Sequence, residues 1–297
     1  MAGHVRIERR PTLNRPVLVA AFRGWNDGAQ GASLAASFLA QSWNARRFAQ
    51  LDPEEFYDFQ AVRPHVRLED GVTRRIDWPE NVFYDASIAD LDRDGVLLIG
   101  VEPNTRWRTF TEEIAGLARE LGVELVVTLG ALLADVPHTR PAPVTGSASD
   151  PKLVRELGLA SSRYEGPTGI VGVLHDACHA AGLPSASLWA AVPHYVSLAA
   201  SPKAALALCQ RLGGLLGATF DLSDLERAAE AYELQVTAAV AQDEETEAYV
   251  HELETRRDTL GDDLDVPSGE SLAEELTRFL EEHEERTRRD QGDDPGG

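Results

Sequence analysis

Four mostly apolar runs of strand length recur along the chain: Val17–Phe22 and Val96–Val101 without a polar residue, and Val123–Leu129 and Ala186–Val192 with only Glu124, Thr128 and Ser187 among them. Runs with no polar alternation read as strands covered on both faces, the pattern of a parallel sheet. Helical spacing fills the gaps between them. Gly28–Trp43 carries Leu34, Phe38, Leu39 and Trp43 at helical spacing. In Trp107–Leu121, Phe110, Ile114, Leu117 and Leu121 lie opposite Glu112, Glu113, Arg119 and Glu120. Ile170–Ala181 and Lys203–Leu216 complete the set, the second opened by Ser201-Pro202, an N-cap followed by proline at the first helical position. Strands alternating with helices predict an α/β fold with parallel pairing and right-handed crossovers.

Smaller elements fit between these. Arg47–Leu51 reads as a short strand, and Asp52-Pro53-Glu54-Glu55 as a helix start. His65–Leu68 and Thr73–Ile76 flank Glu69-Asp70-Gly71, a hairpin signal closed by Trp78–Asn81. Gly130–Ser147, with three prolines and little periodicity, reads as a long loop. A helix is expected over Ser149–Leu157, and a turn over Tyr164–Gly169.

The texture changes after residue 220. Leu222–Leu260 lacks proline and shows only a thin stripe, Leu225, Tyr232, Val236, Ala239, Val250 and Leu253. Such a stripe predicts an αα-hairpin or packing on a partner. The expected organisation is an α/β body over 1–220 and an acidic helical extension over 261's N-terminal side, 221–260. A linker and amphipathic helix follow over 261–290, with stripe residues Leu272, Leu276, Phe279 and Leu280, then a disordered tail over 291–297.

Charge sharpens that division. Of the net −21, the chain from Asp221 onward holds 25 acidic against 7 basic residues, while the preceding part is nearly neutral. Clustered cations are missing, which argues against nucleic-acid binding. Only Lys152 and Lys203 are lysines; the other basic residues are arginines, a bias attributed to GC-rich coding. No apolar run approaches the ~20 residues of a membrane span, and the N-terminal stretch has no apolar h-region. Cys178 and Cys209 lie in apolar helical stretches without metal or redox spacing. A cytoplasmic protein is the expectation.

Candidate chemistry gathers at strand ends. The turn after the first strand, Arg23-Gly24-Trp25-Asn26-Asp27-Gly28, either caps the next helix through Asn26 or Asp27 or cradles a ligand at its N-terminus. It matches neither a dinucleotide fingerprint nor a P-loop. In a parallel sheet, four such turns share one rim. They supply Gly24, Trp25, Asn26 and Asp27, then Glu102, Asn104 and Arg106, then His138 and Arg140, and finally His194 and Tyr195. These residues suit an acid–base or ligand-binding site, and equally suit solvated loop ends and helix caps. The G-x-S-x-G elbow is absent. His138 and His194 lack metal-ligand spacing, and His175 and His179, at i and i+4, lack an H-E-x-x-H pattern. No catalytic residue, metal or cofactor is assigned, and the balance leans against an enzyme.

Taken in order, GWNDG before an Ala/Ser-rich helix, FYDFQAVRP, the Asp-Gly hairpin, IGVEPNTRW, LGALLADVPHTRP and VPHY resemble the proteasome assembly chaperone 2 family in its bacterial form. The resemblance spans about Val17 to Leu216. It implies a three-layer α/β/α sandwich similar to nucleoside phosphorylases and peptidyl hydrolases, with a mostly parallel sheet, usually self-associating. Eukaryotic relatives hold proteasome α subunits during ring assembly; bacterial members mostly have no established activity, and the family offers no agreed catalytic residues. The implied function is an oligomeric, non-enzymatic, assembly-chaperone-like protein, a homo-trimer being the expected assembly, with proteasome-related partners. A small-molecule binder or a hydrolase- or phosphorylase-like enzyme using the rim is the alternative. The chain departs from docking chaperones in ending Asp293-Asp294-Pro295-Gly296-Gly297 rather than in a hydrophobic–Tyr–any-residue tail. No nucleic-acid or membrane partner is expected.

Overall fold

The computed structural model describes residues 3–88, 91–148, 150–159, 165–196 and 200–260. The expected linker, last amphipathic stripe and tail lie outside them. The strands are β1 (Val5–Ile7), β2 (Val17–Arg23), β3 (Arg46–Leu51), β4 (His65–Glu69), β5 (Thr73–Asp77), β6 (Asn81–Ser87), β7 (Asp94–Val101), β8 (Leu125–Ala134), β9 (Val144–Ala148) and β10 (Ser185–Pro193). The helices are α1 (Gly31–Ser42), α2 (Trp107–Glu120), α3 (Pro151–Glu156), α4 (Ile170–Ala180), α5 (Pro202–Leu216), α6 (Ser223–Val240) and α7 (Glu244–Leu260).

Eight strands form one sheet in the order β1-β3-β6-β7-β2-β8-β10-β9, and β4–β5 pair only with each other. The four apolar runs are its centre. β7, β2, β8 and β10 are mutually parallel, while β6, β3 and β1 on one side and β9 on the other add antiparallel strands. Alternation along each strand divides the core. Leu18, Ala20 and Phe22 pack with α2 and α4; Val17, Val19 and Ala21 pack with α1 and α5. Helices on both faces of one sheet make the three-layer α/β arrangement.

Three strands were not legible in the pattern. β6 carries Asp85 in mid-strand, which breaks its apolar run; the carboxylate is buried and paired with Arg9 and, at 3.6 Å, with Arg46. β9 falls inside the proline-rich segment read as a loop, and pairs antiparallel with β10. β1 is a three-residue edge strand. In addition, β8 continues through Gly130 to Ala134. Gly130 is what the strand needs there, since a Cβ would sit 2.4 Å from the Trp189 ring of β10.

The Asp-Gly hairpin forms as expected. Asp70 and Gly71 both have positive φ, 53° and 73°, and the Val72 N–H donates to Glu69 O at 3.2 Å, closing a tight turn in the three-residue loop between Glu69 and Thr73. The thin C-terminal stripe is also real: Leu222, Leu225, Tyr232, Val236, Val250 and Leu253 are buried, whereas Ala239 is exposed. Helix α6 packs against α5, and α7 folds back beside it. Among the described residues no helix is long and apolar enough to cross a membrane.

Candidate functional site

Parallel pairing brings the carboxyl ends of β7, β2, β8 and β10 to one rim, so the four candidate turns do lie along one edge. Their side chains do not converge on one point. They form three separate groups.

The first group is built around Glu102, just past β7. Its Oε1 accepts from Asn26 Nδ2 at 3.0 Å and from the Ile170 N–H of α4 at 2.8 Å; its Oε2 accepts from the Trp25 N–H at 3.1 Å. One carboxylate thus ties the β2 turn to the N-terminus of α4, where the helix dipole favours a negative charge. Gly24 makes the approach possible: at φ 139°, a Cβ would lie 2.9 Å from Glu102 Cβ. Asn26 is buried, and its carbonyl accepts from the Ala131 N–H at 2.9 Å. Asp27 is the cap. Its Oδ1 accepts from Ala32 N at 2.8 Å and Ser33 N at 3.2 Å, bridging a single 3-10 turn, so α1 starts at Gly31. Burial raises the Asp27 pKa, opposed by its hydrogen bonds to Ser33 and Ala32. Trp25 projects outward, 55 % exposed, beside the exposed Arg23.

The second group ties the β7 end to the turn at Pro53–Glu55. Asn104 Oδ1 accepts from the Asp58 N–H at 3.0 Å, and the Asn104 N–H donates to Phe56 O at 2.9 Å. Arg106, at φ 56° before α2, pairs with Glu55 and lies 5.9 Å from the centre of the Phe56 ring.

The third group is covered by the chain's own C-terminal helices. His138 is buried with both ring nitrogens engaged, Nδ1 with Tyr195 Oη at 2.9 Å and Nε2 with Thr237 Oγ1 of α6 at 3.0 Å. One proton assignment satisfies every partner. The His138 N–H donates to Tyr195 Oη at 2.8 Å and the Tyr195 hydroxyl donates to Nδ1; Nε2–H donates to Thr237, whose hydroxyl donates to Glu233 O at 2.8 Å. The imidazole is therefore neutral, and burial first, then the Lys203 charge, lowers its pKa. Lys203 of α5 donates to His138 O and pairs with Glu233 of α6. Arg140 makes a fork with Asp258 of α7, at 2.9 and 2.8 Å, and reaches Glu254 at 3.4 Å. His194 pairs with Asp135 at 3.2 Å, and Asp135 also accepts from Tyr249 of α7 at 3.0 Å.

The sequence reading missed these covering partners: Lys203, Glu233, Thr237, Tyr249, Glu254 and Asp258. The one available signal was Lys203, a lysine in a chain that otherwise uses arginine almost throughout. Its compact ammonium fits a nearly closed site where a guanidinium fork would not. Elsewhere, His175 meets Thr128 Oγ1 at 3.0 Å and Ser185 Oγ at 2.8 Å, and desolvation lowers its pKa to about 4. His179 is exposed. Cys178 and Cys209 are buried, and burial pushes both thiols up to about 12. Among the described residues no three His, Cys, Asp or Glu side chains gather as a metal-ligand set.

The fold and rim define a three-layer α/β protein whose strand-end polar groups hold its own loops and helices together. The chain belongs to the PAC2 family, whose model matches residues 21–240, a span that runs through α6. It is similar to a PAC2 family protein from Streptomyces avermitilis, at 50 % identity over 79 % of this chain and 99 % of that one, with a TM-score of 0.74. A proteasome-assembly chaperone homologue from Mycobacterium tuberculosis is 49 % identical, over 79 % of this chain and 99 % of that one, with a TM-score of 0.72. An archaeal proteasome activator from Pyrococcus furiosus shares the fold, with a TM-score of 0.64 at 19 % identity over 79 % of this chain and 97 % of that one. No curated protein matches the chain.

Proposed function

We propose that this PAC2 family member is a non-enzymatic, self-associating protein-binding protein of the assembly-chaperone kind, working in the cytoplasm on proteasome-related partners without a cofactor. The observation that carries the reading is the state of the rim. Glu102, Asp27, His138 and Arg140 are each engaged by the chain's own groups, and the prominent side chain left outward is Trp25. An exposed tryptophan above a rigid, hydrogen-bonded turn suits contact with another protein, since aromatic anchors dominate such interfaces. The similarity to a proteasome-assembly chaperone homologue supports the choice of partner. The division into a body over 1–220 and an acidic extension over 221–260 belongs to the same proposal, the extension closing the His138 side of the rim.

Trp25→Ala tests it. The substitution is expected to weaken binding to purified proteasome α subunits by about tenfold or more, with the melting temperature unchanged. Equal binding by the variant, measured by calorimetry, contradicts the reading.

The alternative, a small-molecule binder or a hydrolase- or phosphorylase-like enzyme at the rim, has one observation in its favour: Oδ2 of Asp27 is buried without a hydrogen-bond partner. A ligand raising the melting temperature of the native chain but not of Asp27→Asn would select it.

A further inference from the structure

The described residues leave eight large hydrophobic side chains exposed, and five of them sit on or beside one hairpin: Val66, Leu68, Val72, Ile76 and Trp78. The cross-strand register explains how. Val66 faces Ile76 and Leu68 faces Arg74, so these four share one face of β4–β5. The opposite face is polar and internally paired, with Arg67–Asp77 at 3.1 Å and Arg75–Glu69 at 3.0 Å. A two-stranded hairpin is marginal in water by itself, and one with a solvated apolar face more so. Arg74, the single charge on that apolar face, has no ion pair among the described residues.

A complementary surface lies on the same chain. Helix α6 exposes Leu234, at 72 %, flanked one turn away by Ala231 and Ala238. Glu230, one turn before Leu234, has no ion pair among the described residues. One patch is apolar with an unpaired cation, the other apolar with an unpaired anion.

We propose that the apolar face of β4–β5 docks on the Leu234 face of α6 in a second copy of this chain, with Arg74 meeting Glu230. The proposal rests on the self-association reading above and names its surface. Since the two patches differ, the contact is head-to-tail, and each copy carries one of each; repeated contacts close into a ring where the rotation between copies closes and extend as a filament where it does not. The charges fit this pairing. The segment 221–260 is strongly acidic, while Arg74 is the one charge on the apolar face of the hairpin, its other strand charges, Arg67, Arg75, Glu69 and Asp77, pairing with one another on the opposite face.

Light scattering coupled to size exclusion on the full chain, over a dilution series, tests the proposal. The native chain is expected to run as an oligomer. Arg74→Glu and Glu230→Arg should each weaken association about tenfold, and the double variant should recover it. Leu68→Asp, at an exposed position, should give monomer with an unchanged melting temperature. An oligomer that survives Leu68→Asp, or charge reversals that the double variant does not rescue, overturns this docking surface and leaves self-association through another one. A monomeric native chain overturns both.

Discussion

Glu102 receives three donors from two segments, the Trp25 main chain and the Asn26 side chain of the β2 turn and the first N–H of α4. Truncation leaves those donors unsatisfied beside buried residues. Glu102→Ala is expected to lower stability by about 2 kcal/mol, read by urea denaturation, and Glu102→Gln by less. A loss of binding with no loss of stability would return Glu102 to the chemical role its position first suggests. His175 gives a pH signature. Its folded-state pKa of about 4 lies below the usual histidine value, so between these pH values the unfolded chain holds a proton that the native chain does not. Native stability therefore falls as pH drops through this window, by about 2 kcal/mol near pH 5. His175→Gln should flatten the slope; an unchanged slope would place the titration elsewhere. At this scale the sequence narrowed the cap to Asn26 or Asp27, and the fold uses Asp27, because Asn26 is taken up by Glu102. The sequence could not show that His138 is closed off, because Thr237, its partner, lies far along the chain.

Elements were legible in proportion to how purely their pattern reflects burial. The central strands are apolar except for a few buried hydroxyls, such as Thr128 and Ser187, because helices cover both faces. β6 was hidden because Asp85 finds Arg9 and Arg46, and β9 because an edge strand with glycine and serine has no run to display. α6 and α7 carry a narrow stripe because polar contacts do part of their anchoring. Lys203, His138, Arg140 and Asp135 each meet a residue of these helices or their partners. Lys203→Ala frees the His138 carbonyl and Glu233 together. It is expected to speed amide exchange over 223–260 about tenfold, with the central strands unchanged. Exchange that rises equally everywhere would mean the helices are inseparable from the sheet.

The whole molecule is an acidic three-layer protein whose rim is half covered by its own C-terminal helices. The open half presents Trp25, and the separate β4–β5 hairpin presents its apolar face. Composition made the acidic extension plain, yet not where it folds: the salt bridges that hold α7 join residues more than a hundred positions apart, such as Arg140 and Asp258. The account's central claim is that these surfaces serve protein assembly. Native mass spectrometry of the full chain, alone and mixed with proteasome α subunits from the same cells, tests it most directly. The account predicts a defined oligomer alone and a heavier complex containing both proteins in the mixture. A monomer that leaves the α subunits unbound would contradict it.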